Sequence, residues 1–286
     1  MRINVKHETT YRYDAGPRRV MQLLRLTPED FEGQNVVDWS IDLNCDAKLR
    51  QKRDPHGNIT HMLTVDHAPE ELVITASGIV ECDDSAGLVR GVRETLSPLT
   101  YLQVSELTQP NAAIAEFAAD AIASKTSPLD KAHALLAAVY GHMKFETGTT
   151  NVTTSAAEAF ANGNGVCQDL SHLFCAAARS QDIPARYVSG HLFRRDGENN
   201  QEASHAWAEA WVQDLGWVAF DPAHGISADD HYVRIAVGMD YRQAAPMVGT
   251  RMGGGMETMA VTATTSGRAL RQSQNQTMGD MSQSQQ

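Results

Sequence analysis

The sequence predicts an α+β protein, an N-terminal antiparallel β-sandwich-like domain followed by a core of helices and then strands. Three features carry that prediction. Residues 1–84 alternate apolar and polar side chains with a period of two. From residue 110 the chain turns Ala- and Leu-rich at helical spacing, and strand-like runs return after residue 184.

In chain order, INVKHETTYRY places Ile3, Val5, His7, Thr9, Tyr11 and Tyr13 on one face of a first strand. VVDWSIDLNC repeats the pattern with Val37, Trp39, Ile41, Leu43 and Cys45, and DPHGN (54–58) is a turn signal before the next strand. ELVITASGIVEC is a further strand, with no helical period interrupting the series. Residues 1–84 are assigned to the β domain and 85–109 to a connector, entered through the Gly- and Ser-containing DDSAGLVRG.

Residues 110–265 form the predicted second domain. NAAIAEFAADAIAS and SPLDKAHALLAAVYGHMKF read as helices, the latter with Ser127 as N-cap, Pro128 at the first helical position and Asp130 in the first turn. CQDLSHLFCAAARSQ is another helix, and ARYVSGHLF, SHAWAEAWVQD and GWVAFDP are strands of an antiparallel sheet. HYVRIAVGMDY and METMAVTATT are two more strand candidates, separated by GTRMGGG, which reads as flexible. Residues 266–286 are Gln- and Ser-rich with almost no aliphatic content and are expected to be a disordered tail.

Composition narrows the function. The net charge of −11 leaves no concentrated basic patch for phosphates, which argues against nucleic acid as a partner. No run approaches the roughly 18 apolar residues of a membrane span, and the start lacks an apolar leader. A cytoplasmic protein without membrane association is expected. The four cysteines, Cys45, Cys82, Cys167 and Cys175, form no CxxC pair, and no Cys or His spacing suits a structural zinc site. No metal or cofactor is expected; a homo-oligomer is compatible with the sequence, which does not specify it.

The segment GNGVCQDLSH (163–172) presents Cys167 after a glycine-rich turn, at the start of a helix. There the helix dipole and unpaired N–H groups favour a thiolate, and the same N–H groups can receive an oxyanion. Cys175, among Leu173, Phe174 and alanines, reads as a packed hydrophobe. A thiol nucleophile needs a base, and SHAWAEAW offers His205 on one strand face with Trp207 and Glu209. A short turn at DLG makes a hairpin with WVAFDP, which sets Asp221 beside the His205 ring, where it can fix the imidazole tautomer. Asp169 most simply complements the helix dipole, and His172 is turned about 140° from Cys167 on an ideal helix. Gln168 and Trp207 are the candidate substrate contacts, Gln168 also as an oxyanion donor and Trp207 as a wall of the acyl groove or as core packing.

GVCQDLSHLF, ASHAWAEAWV and GWVAFDPAHG together resemble the three core motifs of the transglutaminase-like superfamily, a papain-like group. YRYDAGPRRVMQLLRLTP and the DPHGN hairpin look like the N-terminal β domain of its bacterial members, and residues 231–261 look like their C-terminal extension. The resemblance implies a nucleophile helix packed on an antiparallel sheet, with Cys167 as nucleophile, His205 as general base and acid and Asp221 as the orienting carboxylate. His224 departs from the pattern, standing where many relatives have Asn. Three functions follow from this reading. The first is a thiol-dependent hydrolase of peptide or amide substrates working through a thioester acyl-enzyme. The second is a transglutaminase-type acyltransferase that passes the acyl group to an amine. The third, a non-catalytic peptide-binding module, is disfavoured by the presence of all three triad residue types.

Overall fold

Along β1 (Arg2–Tyr13) the alternation seen in the sequence becomes burial: Ile3, Val5, His7, Thr9, Tyr11 and Tyr13 all turn inward. The coordinates are a computed structural model that describes residues 1–196, 200–201 and 204–268. Strands β2 (Arg19–Leu24), β3 (Gln34–Leu43), β4 (Lys48–Arg53), β5 (Ile59–Asp66) and β6 (Glu71–Cys82) complete the N-terminal region. The DPHGN turn joins β4 to β5. Asp54 holds it by accepting the backbone N–H groups of His56 and Asn58, at 3.0 and 3.1 Å. On β3 the expected inward row slips. A β-bulge between Val36 and Asp38 shifts the register, so Val37 is exposed while Trp39, Ile41 and Leu43 remain half-buried.

The connector holds a two-residue strand, β7 (Leu88–Val89), that adds to the edge of the second sheet by pairing with residues 217 and 218. Helices follow as the capping residues require. Asn111 caps α1 (Ala112–Ile122), and Ser127 with Pro128 starts α2 (Pro128–His142). The helix α3 (Ala156–Asn162) went unread in the sequence, although its signal was present: Ser155 and Glu158 form a capping box. Short strands β8 (Lys144–Phe145) and β9 (Asn164–Gly165) pair in parallel on either side of α3. Then come α4 (Cys167–Ser180), β10 (Ala185–Leu192), β11 (Asn200–Gln201), β12 (His205–Val212), β13 (Gly216–Asp221), β14 (Ile226–Ser227) and β15 (Tyr232–Gly238). The chain ends its described course in α5 (Tyr241–Ala244), β16 (Met247–Met252) and β17 (Glu257–Arg268).

The second sheet runs β14-β13-β12-β10-β15, antiparallel throughout, with β7 on β13. Ala206, Ala208 and Ala210 of β12 share a core with α4, where small side chains let the helix approach the sheet closely. On the other face, Glu209 is fully buried between Arg186 Nε (2.6 Å) and Arg234 Nε (2.7 Å), which tie β10 and β15 to β12. Arg186 also lies 3.9 Å over the Trp217 ring. Paired and hydrogen-bonded on both sides, this carboxylate tolerates its burial.

The C-terminal strands were expected to belong to the second domain. Instead β17 pairs with β1 along its whole length, giving the sheet β11-β17-β1-β6-β3, and β16 pairs with β2 in the sheet β16-β2-β5-β4. A shared core of Tyr11, Val20, Leu24, Leu63 and Ile74 packs these two sheets together. Pairing explains the other boundary shifts. Gly249 to Met252, read as flexible, are held in β16 by β2, and Ser266 to Arg268, assigned to the tail, are held in β17 by Arg2 to Asn4. The rest of that tail, 269–286, lies outside the described residues.

Candidate active site

Two glycines set the entry to α4. Gly163 closes α3 in the left-handed conformation at φ +68°. Gly165 serves a different purpose: a Cβ there would lie 2.7 Å from Asp169 Cβ and 2.8 Å from its Oδ2. That close approach lets Asp169, 1% exposed, fold back under the turn. Its Oδ2 accepts the Val166 N–H at 2.8 Å and the Thr150 hydroxyl at 2.6 Å. Burial pushes the Asp169 carboxyl above its ordinary range, against these hydrogen bonds. Asp169 therefore braces the start of α4 rather than facing solvent at the dipole. Cys167 is the first residue of α4 and only partly buried, and while the Asp169 N–H reaches the Val166 carbonyl at 2.9 Å, the N–H groups of Cys167 and Gln168 precede the first intrahelical acceptor.

The hairpin supplies the other two residues. In the β12–β13 register Ala208 pairs with Phe220, so Asp221 continues opposite Trp207, diagonal to His205 on the same face. His205 Nε2 donates to Asp221 Oδ2 at 2.7 Å, and the Cys167 side chain lies near enough to the His205 ring to act on its proton affinity. Burial alone would push His205 down. The Asp221 carboxylate, joined by Cys167, overcomes it and holds the ring at about 10, so it is an imidazolium at neutral pH. Asp221 is fully buried and would be pushed up by burial, yet the two histidines hold its carboxyl well below the usual range. The structure thus brings Cys167, His205 and Asp221 together.

Asp221 carries more than one partner. Its Oδ2 also accepts His224 Nδ1 at 2.8 Å and the Tyr232 hydroxyl at 2.7 Å, while Oδ1 accepts the backbone N–H groups of Ala223 and His224. His224 stood out in the sequence as a departure from the motif. Tyr232 had no local signal, because only the fold of β15 brings it across. Among the described residues, His205, Asp221 and His224 also form a group whose donor atoms lie within 4.8 Å of one another.

The remaining sequence candidates separate. Gln168 lines a cavity of about 310 Å³ that contains the Cys167 side and is walled by Tyr187, Tyr241, Met247 and Met259. Trp207 does not line it. The indole is 1% exposed and packs edge-on to Tyr232, with ring centroids 5.3 Å apart, and against His205. Of the two readings of Trp207, core packing is the one the structure places. A second cavity of about 300 Å³ opens beyond His224 and Tyr232, and Cys167 takes no part in it. His172 is fully buried, accepts the Tyr241 N–H at 3.0 Å, and is held neutral at about 3 by burial. Cys175 is likewise inert, its thiol pushed up to about 11 by burial.

Residues 115–222 match the family model of the transglutaminase-like superfamily, and residues 3–81 match that of the bacterial transglutaminase-like N-terminal region. An uncharacterized protein of Mycobacterium leprae is 28% identical over 278 residues, covering 91% of this chain and 96% of its own. An uncharacterized protein of Mycobacterium tuberculosis is 27% identical over 275 residues, covering 87% of each. Among solved structures, a protein of Cytophaga hutchinsonii described as a "Putative Cysteine Protease" superposes with a TM-score of 0.74 at 20% identity. The match covers 95% of this chain and 92% of that one. No helix among the described residues is long and apolar enough to cross a membrane.

Proposed function

The chain belongs to the transglutaminase-like superfamily, and from that premise we propose that it is a thiol-dependent amide hydrolase acting through Cys167, His205 and Asp221. One observation carries the reading: a partly buried thiol at a helix N-terminus stands beside a histidine kept cationic by a fully buried carboxylate 2.7 Å away. That arrangement gives a thiol nucleophile a proton-carrying general acid and base beside it.

The chemistry follows from it. The Cys167 sulfur attacks the amide carbonyl carbon, and the first-turn N–H groups of α4 receive the oxyanion. As the tetrahedral adduct collapses, His205 gives its proton to the departing nitrogen and the C–N bond breaks, leaving a thioester on Cys167. Neutral His205 then takes a proton from water, whose oxygen attacks the thioester. The C–S bond breaks, the acid leaves, and the proton passed to His205 returns the ring to its starting state. Asp221 keeps Nε2 as the donor nitrogen throughout, so Nδ1 is the one that exchanges protons with the sulfur and the substrate. An amine in place of water would make the same enzyme an acyltransferase. A cytoplasmic setting fits its four free cysteines.

The test is incubation of the purified protein with an amide-substrate library, with and without an added primary amine, and mass spectrometry of the products. Free acid formed by the wild type and not by Cys167→Ala is the expected result. Amine conjugates as the main product would assign transfer instead, and turnover by Cys167→Ala would remove the nucleophile.

A further inference from the structure

The cavity beside Cys167 is built by both halves of the protein. Val166 and Tyr187 come from the α4 and β10 side, Tyr241 from α5, and Met247, Met259 and Val261 from β16 and β17, the strands that complete the N-terminal sheets. Among the described residues none that line it is Asp, Glu, Lys or Arg, and the histidine among them, His7, is held neutral at about 4 by burial.

The inward face of β17 is unusual in how it loses cover. Thr265 and Ala263 are each 1% exposed, Val261 is half-buried, and Met259 on the same face is 59% exposed. The β1 residues paired with Val261 and Met259, namely Thr9 and Tyr11, are buried. Met259 and Val261 thus leave apolar surface on β17 open to the cavity that holds Cys167, Met259 also bordering a neighbouring cavity with Arg251 and Glu257. Val152, also exposed, adds to the rim.

Taking Cys167 as the nucleophile, as in the function proposed above, we propose that this cavity binds a large apolar side chain on the acyl side of the scissile amide, with Met259 and Val261 setting that preference. The placement on the acyl side follows from His205. The leaving nitrogen departs toward the group that protonates it, and His205 lines none of this cavity, whereas Cys167, which keeps the acyl group, does. Unbranched Met side chains suit a wall that adapts to aliphatic or aromatic occupants. An ionised side chain would be desolvated here with no countercharge among the described lining residues. The N-terminal region and the C-terminal strands thereby become part of substrate selection.

Two measurements test this. The first is kcat/KM on two-residue peptidyl coumarylamides, with each acyl-side position varied through Ala, Leu, Phe, Glu and Lys. The second is calorimetric binding of matching uncleaved peptides to Cys167→Ala. The wild type should prefer Leu or Phe to Lys and Glu by about 10- to 100-fold at one position. Met259→Glu, at an exposed site that does not threaten folding, and Val261→Glu should each cut the Leu-to-Lys ratio about tenfold or more. Selective binding without Cys167-dependent turnover would overturn the hydrolase reading and leave the pocket standing. Turnover or binding indifferent to the acyl side chain, or a preference that survives both variants, would overturn the pocket.

Discussion

Asp221→Asn changes charge and hydrogen bonding while preserving shape. Asp221 Oδ2 receives three donors, from His205, His224 and Tyr232, and Oδ1 receives two backbone N–H groups. An asparagine keeps one oxygen. If that oxygen faces the three side chains, its NH₂ meets the N–H groups of Ala223 and His224; the reverse pose sets it against three donors. The milder pose leaves two groups unsatisfied, at about 1–3 kcal/mol each, so a stability loss of about 2–6 kcal/mol is expected. The effect on His205 is larger in consequence. The gap between its ordinary 6.5 and about 10 corresponds to about 5 kcal/mol of preference for the imidazolium. With the carboxylate gone, burial dominates and the ring becomes neutral near pH 7. A fall in kcat/KM of about 10³- to 10⁴-fold is expected, together with slower alkylation of Cys167 at neutral pH. The assays are amide hydrolysis, iodoacetamide labelling across pH, and urea melts. A folded variant with turnover within tenfold of wild type and an unchanged labelling profile would refute the role given to Asp221.

Brief iodoacetamide treatment should modify Cys167 before half-buried Cys45 and well before Cys82 and Cys175, whose thiols burial pushes up to about 12 and about 11. Peptide mapping reads the order, and Cys175 reacting first would contradict it. In a pH series, turnover should fall as pH rises through about 10, where His205 loses its proton. The stability that His205 contributes, present in full below about 6.5, should fade over the same range, whereas that from Asp221 fades as pH drops below the ordinary carboxylate range. Gly165→Ala forces a Cβ into Asp169 and should cost about 1–3 kcal/mol in a thermal melt while slowing Cys167 labelling; an unchanged melt would show that Asp169 does not brace α4. Removing residues 269–286 should leave the melting temperature unchanged, while deletion from residue 256 strips β17 and exposes the edge of β1, lowering it by many degrees. Equal melts for the two truncations would contradict the pairing.

Local chemistry made much of this protein readable in one dimension. The period-two burial of β1, the Ser127–Pro128 start of α2, the sharp entry to α4 and the β12–β13 hairpin all depend on residues within a few positions of one another. The hairpin also made the His205–Asp221 contact legible, since strand alternation and a short turn suffice to set two side chains on one face. Cys167 could be singled out because its neighbours were polar and Cys175's were not. Other features had no local cause. Whether β17 joins the second sheet or returns to β1 is settled by which edge remains unpaired after the rest has packed, and METMAVTATT would suit either. Tyr232, eleven residues past Asp221, reaches its carboxylate only because β15 lies beside β10. Val37 faces outward because a bulge on β3 breaks an alternation that its own sequence continues. The cavity at Cys167 belongs to the same class: its walls come from residues 7 to 261, and no stretch of sequence contains them together. Side-chain pattern and turn chemistry act over a few residues, whereas edge pairing and cavity shape are properties of the assembled core, and it is there that the surroundings of Cys167 were decided.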